Sequence, residues 1–138
     1  MEVCTEMKFA VAVLLAAIPL AAHHSTKAMY DTSKIVTLEG TVTHSEWVNP
    51  HGIVYMDVKE ADGKVVNWKI ELPPPNFLVR QGYKKADVDP GTHVTASVWL
   101  AKDGSPMANM LTMTLTDGRV MPGGGGWDVP SERYKKPE

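Results

Sequence analysis

The chain has a single cysteine, Cys4, and it stands ahead of the one long apolar run instead of at its end. That position excludes a lipid-attachment cysteine, which has to follow such a run. If the run is removed on export, the remaining chain holds no thiol. Disulfides, cysteine nucleophiles and cysteine-based zinc sites are then all excluded, and stability must come from packing. An excess of one charge is also missing. There are 14 basic and 16 acidic residues, a net charge of −2, and the charges are scattered rather than blocked. Neither nucleic acid nor an anionic membrane surface is implied as a partner. Catalytic signatures are absent as well. No Gly-x-Ser-x-Gly, no His-Glu-x-x-His and no spacing that pairs carboxylates across a cleft is present, so the expectation is a non-enzymatic protein.

The apolar run covers residues 9–22, follows Lys8, and switches sharply to His23-His24-Ser25. This is the layout of a secretory signal peptide. The run is shorter than the roughly 20 residues a spanning helix needs, and no second run follows it, so no stable membrane insertion is expected after cleavage. Residues 1–22 are read as the signal peptide, with Met7 a better start than Met1 because Glu2 and Glu6 do not suit a positive leader. Cleavage fits after Ala22 or after Ala21. The protein is expected to be exported, periplasmic or extracellular, with about 115 residues left, enough for one core.

Residues 23–33 are polar without apolar period and read as an extended arm. Residues 122–138, with Gly123 to Gly126 and three prolines, read as a flexible tail whose large apolar residue is Trp127. The domain between them, 34–121, carries five strand-like segments rich in Val, Thr, Ile and aromatics. The first, 35–48, places Val36, Leu38 and Val42 on one face, and Gly40 inside it signals a bend or bulge. Asn49-Pro50 turns the chain into 51–60, and Asp62-Gly63 closes a hairpin onto 64–72. There Val66, Trp68, Ile70 and Leu72 share one face and Asn67, Lys69 and Glu71 the other. Pro73-Pro74-Pro75 leads into a short helix, 76–81, stopped by Gly82. Segment 92–101 alternates Val94, Ala96 and Val98 against His93 and Trp99. In 107–116, strict alternation puts Met107, Leu111, Met113 and Leu115 on one face and Met110 on the other. Three strands, a short helix and two strands are the element order of an OB-like five-stranded barrel in an all-β domain, with an open β-sandwich as the alternative.

Leu38-Glu39-Gly40-Thr41-Val42, Trp47-Val48-Asn49-Pro50-His51, Pro73-Pro74-Pro75 and Asp117-Gly118-Arg119, together with the Ala22-His23-His24-Ser25 boundary, resemble a family of small exported bacterial proteins known as a domain of unknown function. The likeness implies export and a compact β domain. It carries no established activity, so no catalytic residues transfer.

The most distinctive element, Trp47 to His51, offers an indole, an amide and an imidazole at one turn. Trp47, Asn49 and His51 are therefore the candidate ligand-contacting residues of a binding module for an unknown small ligand or exported protein. The structural reading is equally direct: Trp47 caps the barrel and Asn49 bonds backbone. His44 joins the core face of its strand unless a bulge intervenes. His23 and His24 suggest an alternative, copper handling. A histidine third or first in the processed chain chelates Cu(II) through its imidazole and the terminal amine, with His51 or Met110 as possible helpers. The simpler view of these histidines is a polar cleavage boundary. The spacing of Met107, Met110 and Met113 suits soft Cu(I), but a core role explains these methionines better.

Overall fold

The computed structural model describes residues 26–123. A short helix, α1 (Thr26–Met29), is followed by strands β1 (Val36–Glu46), β2 (Ile53–Lys59) and β3 (Val65–Glu71). Helix α2 (Pro75–Arg80) and a 3-10 turn (Lys85–Val88) come next, and then β4 (His93–Leu100), β5 (Met107–Thr114) and β6 (Val120–Pro122). The strand order is β3-β2-β1-β4-β5-β6, and parallel pairing of β3 with β5 closes the sheet. The result is a closed five-stranded barrel of OB-like connectivity with one added strand. The open sandwich is excluded by that closure, in which Lys69, Ile70 and Glu71 face Met107, Ala108 and Asn109.

β1 makes closure possible because it pairs on both edges. Gly40 faces Val58 on β2 and Val94 on β4. A Cβ at Gly40 would overlap the Asp57 carbonyl oxygen, so the glycine is required by close backbone approach. The bulge that the glycine was expected to mark lies further on, between Val42 and His44. It turns His44 outward, where it is exposed, and brings Ser45 inward.

The barrel is filled by side chains. Val54, Met56, Ile70, Val98, Met110 and Met113 have no exposed surface. Met110 thus belongs to the core, contrary to simple alternation, for a definite reason. β5 carries a bulge at Leu111, since Val98 faces Met110 while Ser97 faces Thr112. The extra residue shifts the facing pattern, so Ala108 and Met110 point inward before it, and Met113 and Leu115 after it. Met107 is left half-buried outside.

α2 begins and ends as proline and glycine dictate, with Pro75 at its first position and Gly82 at φ +91° just past its end. Leu78 and Val88 plug one end of the barrel. β6 is too short to show a period, yet Met121 is fully buried and the Tyr83 hydroxyl donates to the Val120 carbonyl at 2.6 Å. The 3-10 turn is tied to the β5–β6 hairpin by Arg119, which reaches Asp87 at 2.6 Å and Asp117 at 2.7 Å and lies over the Tyr83 ring.

The Asp87 side chain is only 7% exposed. Burial works to raise its carboxyl, but hydrogen bonds from Arg119 and from the Lys84 N–H outweigh it and hold the group below the usual carboxylate range. A depressed folded value means that its stabilising contribution is complete above the ordinary aspartate pKa of about 4 and is lost as pH falls through the lower folded value. Urea unfolding between pH 6 and pH 2 should therefore show an acid-side loss that is smaller in Asp87→Asn. Gly40→Ala should lower stability at neutral pH by about 2–4 kcal/mol, as backbone overlap in a closed ladder demands, read as a shift in the urea midpoint with unchanged slope.

Candidate functional site

With the interior occupied, chemistry is left to the outer surface and the loops. The strand register lays out that surface in rows. One row runs His44, Tyr55, Lys69, Met107 across β1, β2, β3 and β5. The next runs Glu46, Ile53, Glu71, Asn109 and reaches Trp99 on β4. These residues alternate with the core positions, so they face outward. The His44 and Tyr55 rings lie 5.7 Å apart, and the Tyr55 hydroxyl donates to Glu46 Oε1 at 3.2 Å.

Glu71 is the hub of the second row. Its Oε2 accepts the Tyr30 hydroxyl at 2.9 Å, and its Oε1 lies 3.8 Å from His51 Nδ1. Tyr30 is reached from the arm. It bridges to Ala101 just past β4, flanked by hydrogen bonds from the Asp31 N–H to Leu100 O at 2.9 Å and from the Lys102 N–H to Met29 O at 3.0 Å. The ring is thus anchored beside the end of β4 while its hydroxyl is bonded to Glu71 at the end of β3. Tyr30 and Trp99, at 2% and 8% exposure, are buried without belonging to the barrel core cluster. The arm is accordingly not extended throughout, since α1 precedes Tyr30 and Tyr30 is docked. Trp99 is buried on the outer side of β4.

Two buried polar atoms on this outer face have no hydrogen-bond partner among the described residues. Trp99 Nε1 is a donor and Asn109 Oδ1 an acceptor, and their residues face each other in register. Burial of the Tyr30 phenol and the adjacent Glu71 carboxylate hold its pKa above the ordinary tyrosine value.

The turn residues singled out from sequence divide. Trp47 is half-buried against the core. Asn49 is exposed, and its Oδ1 accepts a long hydrogen bond, 3.4 Å, from the Asn76 N–H, one of the donors that the first turn of α2 leaves open. His51, its side chain 53% exposed, turns toward Glu71 on the outer face. Trp47 thus leans on the core and Asn49 reaches the start of α2, while His51 joins the row of outward residues. His23 and His24 lie outside the described residues, and among the described residues no group of three His, Cys, Asp or Glu side chains gathers to hold a metal. Tyr30, Tyr55, Glu71, Trp99 and Asn109 were not candidates from sequence. The polar face of 64–72 pointed to Glu71, but its partners depend on strand pairing.

Tyr30→Phe should remove the hydroxyl bond and keep the ring seated. A phenol with a raised folded pKa stabilises fully below the unfolded value of about 10, and that contribution falls away as pH rises above it. The expected outcome is an alkaline loss of stability, followed by tryptophan fluorescence between pH 8 and pH 11.5, that is reduced in Tyr30→Phe.

No curated protein and no solved structure matches the chain. A family model does, described as a family of unknown function (DUF6152), over residues 11–109, from within the apolar run into β5. That span includes the barrel strands up to the closing β3–β5 pair and Tyr30, Glu71, Trp99 and Asn109, and by it the protein belongs to this family of unknown function.

Proposed function

We propose that the protein is an exported, non-catalytic binding module that takes its ligand on the outside of the barrel, across β2, β3 and β5 beside the β1–β2 turn. The observation that carries this reading is the contrast between a barrel interior with no exposed side chains and an outer face with aromatic, amide, imidazole and charged groups set in register. A filled small barrel leaves no room for a ligand inside, and OB-type barrels present their strand face and adjoining loops instead. Export is supported by the apolar run with its single preceding lysine and the polar switch after Ala22. The mixed charge of the face, with Lys69 between Glu46, Asp57 and Glu71, suits a neutral or zwitterionic partner better than a polyanion.

His51 and Lys69 are the contacts with least structural duty, since neither belongs to the core. His51→Ala with Lys69→Ala should leave the unfolding midpoint within error and reduce retention of a ligand or partner from the exported fraction by about fivefold or more, measured by mass spectrometry of what co-purifies. Equal retention by variant and parent would remove this face from consideration. The same spectra should give a protein beginning at Ala22 or His23, and a chain that keeps residues 1–21 would overturn the export reading.

A further inference from the structure

His51 and Glu71 face each other without bonding. Their facing atoms, Nδ1 and Oε1, are 3.8 Å apart, which is too long for a hydrogen bond. Two ligands of a tetrahedral zinc ion, each about 2.1 Å from it, stand about 3.4 Å from one another. A small turn of the exposed imidazole brings this pair to the spacing of donors that share a metal. The donor types agree, since imidazole and carboxylate suit borderline first-row cations such as Zn(II) and Cu(II).

The carboxylate is also held in position. Glu71 Oε2 accepts the Tyr30 hydroxyl at 2.9 Å, which leaves Oε1 turned to His51. Tyr30 is itself fixed at several points. Its N–H donates to the Thr26 carbonyl at 2.8 Å, the residues on either side of it bond to Leu100 and Lys102, and the Lys102 ammonium donates to the Lys27 carbonyl. A ligating carboxylate whose second oxygen is tied by a hydrogen bond is the common arrangement around a bound metal, because it orients the free oxygen beforehand. On its other side Glu71 is in register with Asn109 on β5, whose buried side-chain oxygen has no hydrogen-bond partner among the described residues. Buried acceptors are ordinarily satisfied, so this oxygen beside a carboxylate is a third donor for a cation.

We propose that His51, Glu71 and Asn109 form a binding site for a divalent cation of the zinc and copper class on the outer face of the barrel, with Tyr30 as the residue that positions the Glu71 carboxylate. This rests on the outer-face reading above and adds an inorganic component to that face. The three donors come from the β1–β2 turn, β3 and β5, so barrel closure brings them together. Three protein donors leave a coordination position open, as in metal sites that take a ligand and unlike structural ones. The histidines of the arm, His23 and His24, are not part of the site.

The test is a zinc titration of the full exported chain carrying His23→Ala and His24→Ala, which removes chelation by the arm. Calorimetry gives stoichiometry and affinity, and NMR follows the His51 ring and the indole of Trp99, the residue that faces Asn109. One zinc per chain is expected, with both signals shifting. Further substitution of His51→Ala or Asn109→Ala should weaken binding by at least the roughly tenfold that a change behind the ligands costs, and Tyr30→Phe by about tenfold. In a Glu71→Gln background Tyr30→Phe should have no further effect on zinc affinity, because Tyr30 acts through that carboxylate. Additive losses would overturn its positioning role. The proposal falls if zinc does not bind once His23 and His24 are replaced, or if it binds equally well to His51→Ala, a substitution at an exposed position. Lost partner retention in the His51 and Lys69 variant without any zinc binding would leave the outer-face reading standing while this one falls. Zinc binding as expected, with retention unchanged in that variant, would do the reverse.

Discussion

The barrel depends on one close approach. β1 has to serve as neighbour to β2 and β4 over the same residues, and at Gly40 the two ladders overlap so tightly that the Asp57 carbonyl occupies the space a side chain would need. Closure by β3 and β5 follows, because only a sheet curled through β1 brings its first and last barrel strands together. The bulge after Val42 continues the same bend and re-aims His44 toward Tyr55. Local backbone geometry therefore fixes which side chains reach the outer rows.

A filled interior and a populated exterior are two results of the same packing. Methionines suit the irregular centre of a small barrel because their unbranched chains fit gaps that branched residues leave, and Met56, Met110, Met113 and Met121 all lie fully buried there. Outside the core, Tyr30 and Trp99 are also buried, Tyr30 where the arm pairs with Ala101 past the end of β4. Tyr30 is held by its hydrogen bond to Glu71 as well as by its burial. Both residues stand outside the core cluster, Tyr30 on the arm and Trp99 on the outer face of β4.

Much of the fold was legible because its signals are local. Val66, Trp68, Ile70 and Leu72 alternate cleanly, three prolines and Gly82 bracket α2, and Asp-Gly pairs mark the hairpins. β5 was legible as a strand but not by face, because a bulge leaves no mark in composition and Leu111 looks like any core leucine. β6 gave no period in three residues. The candidate site was less legible still. His51 could be chosen from its turn, but its neighbour Glu71 belongs to the next hairpin, and Tyr30 sits in a polar stretch that reads as arm. Asn49 could be chosen from the same turn, but its bond to the start of α2 crosses 27 positions. Pairings of that range are set by topology, which alternation suggests only at the level of element order.

The bulge in β5 bears on how sequences of this kind can be compared. Without Leu111, Met107 to Leu115 would alternate outward and inward without a break, and Met110, Met113 and Leu115 would still face the core opposite β4. A chain one residue shorter at this point could keep the same barrel. An alignment that forbids gaps inside strands would then set its buried residues against this chain's surface, and two matching cores would look unrelated.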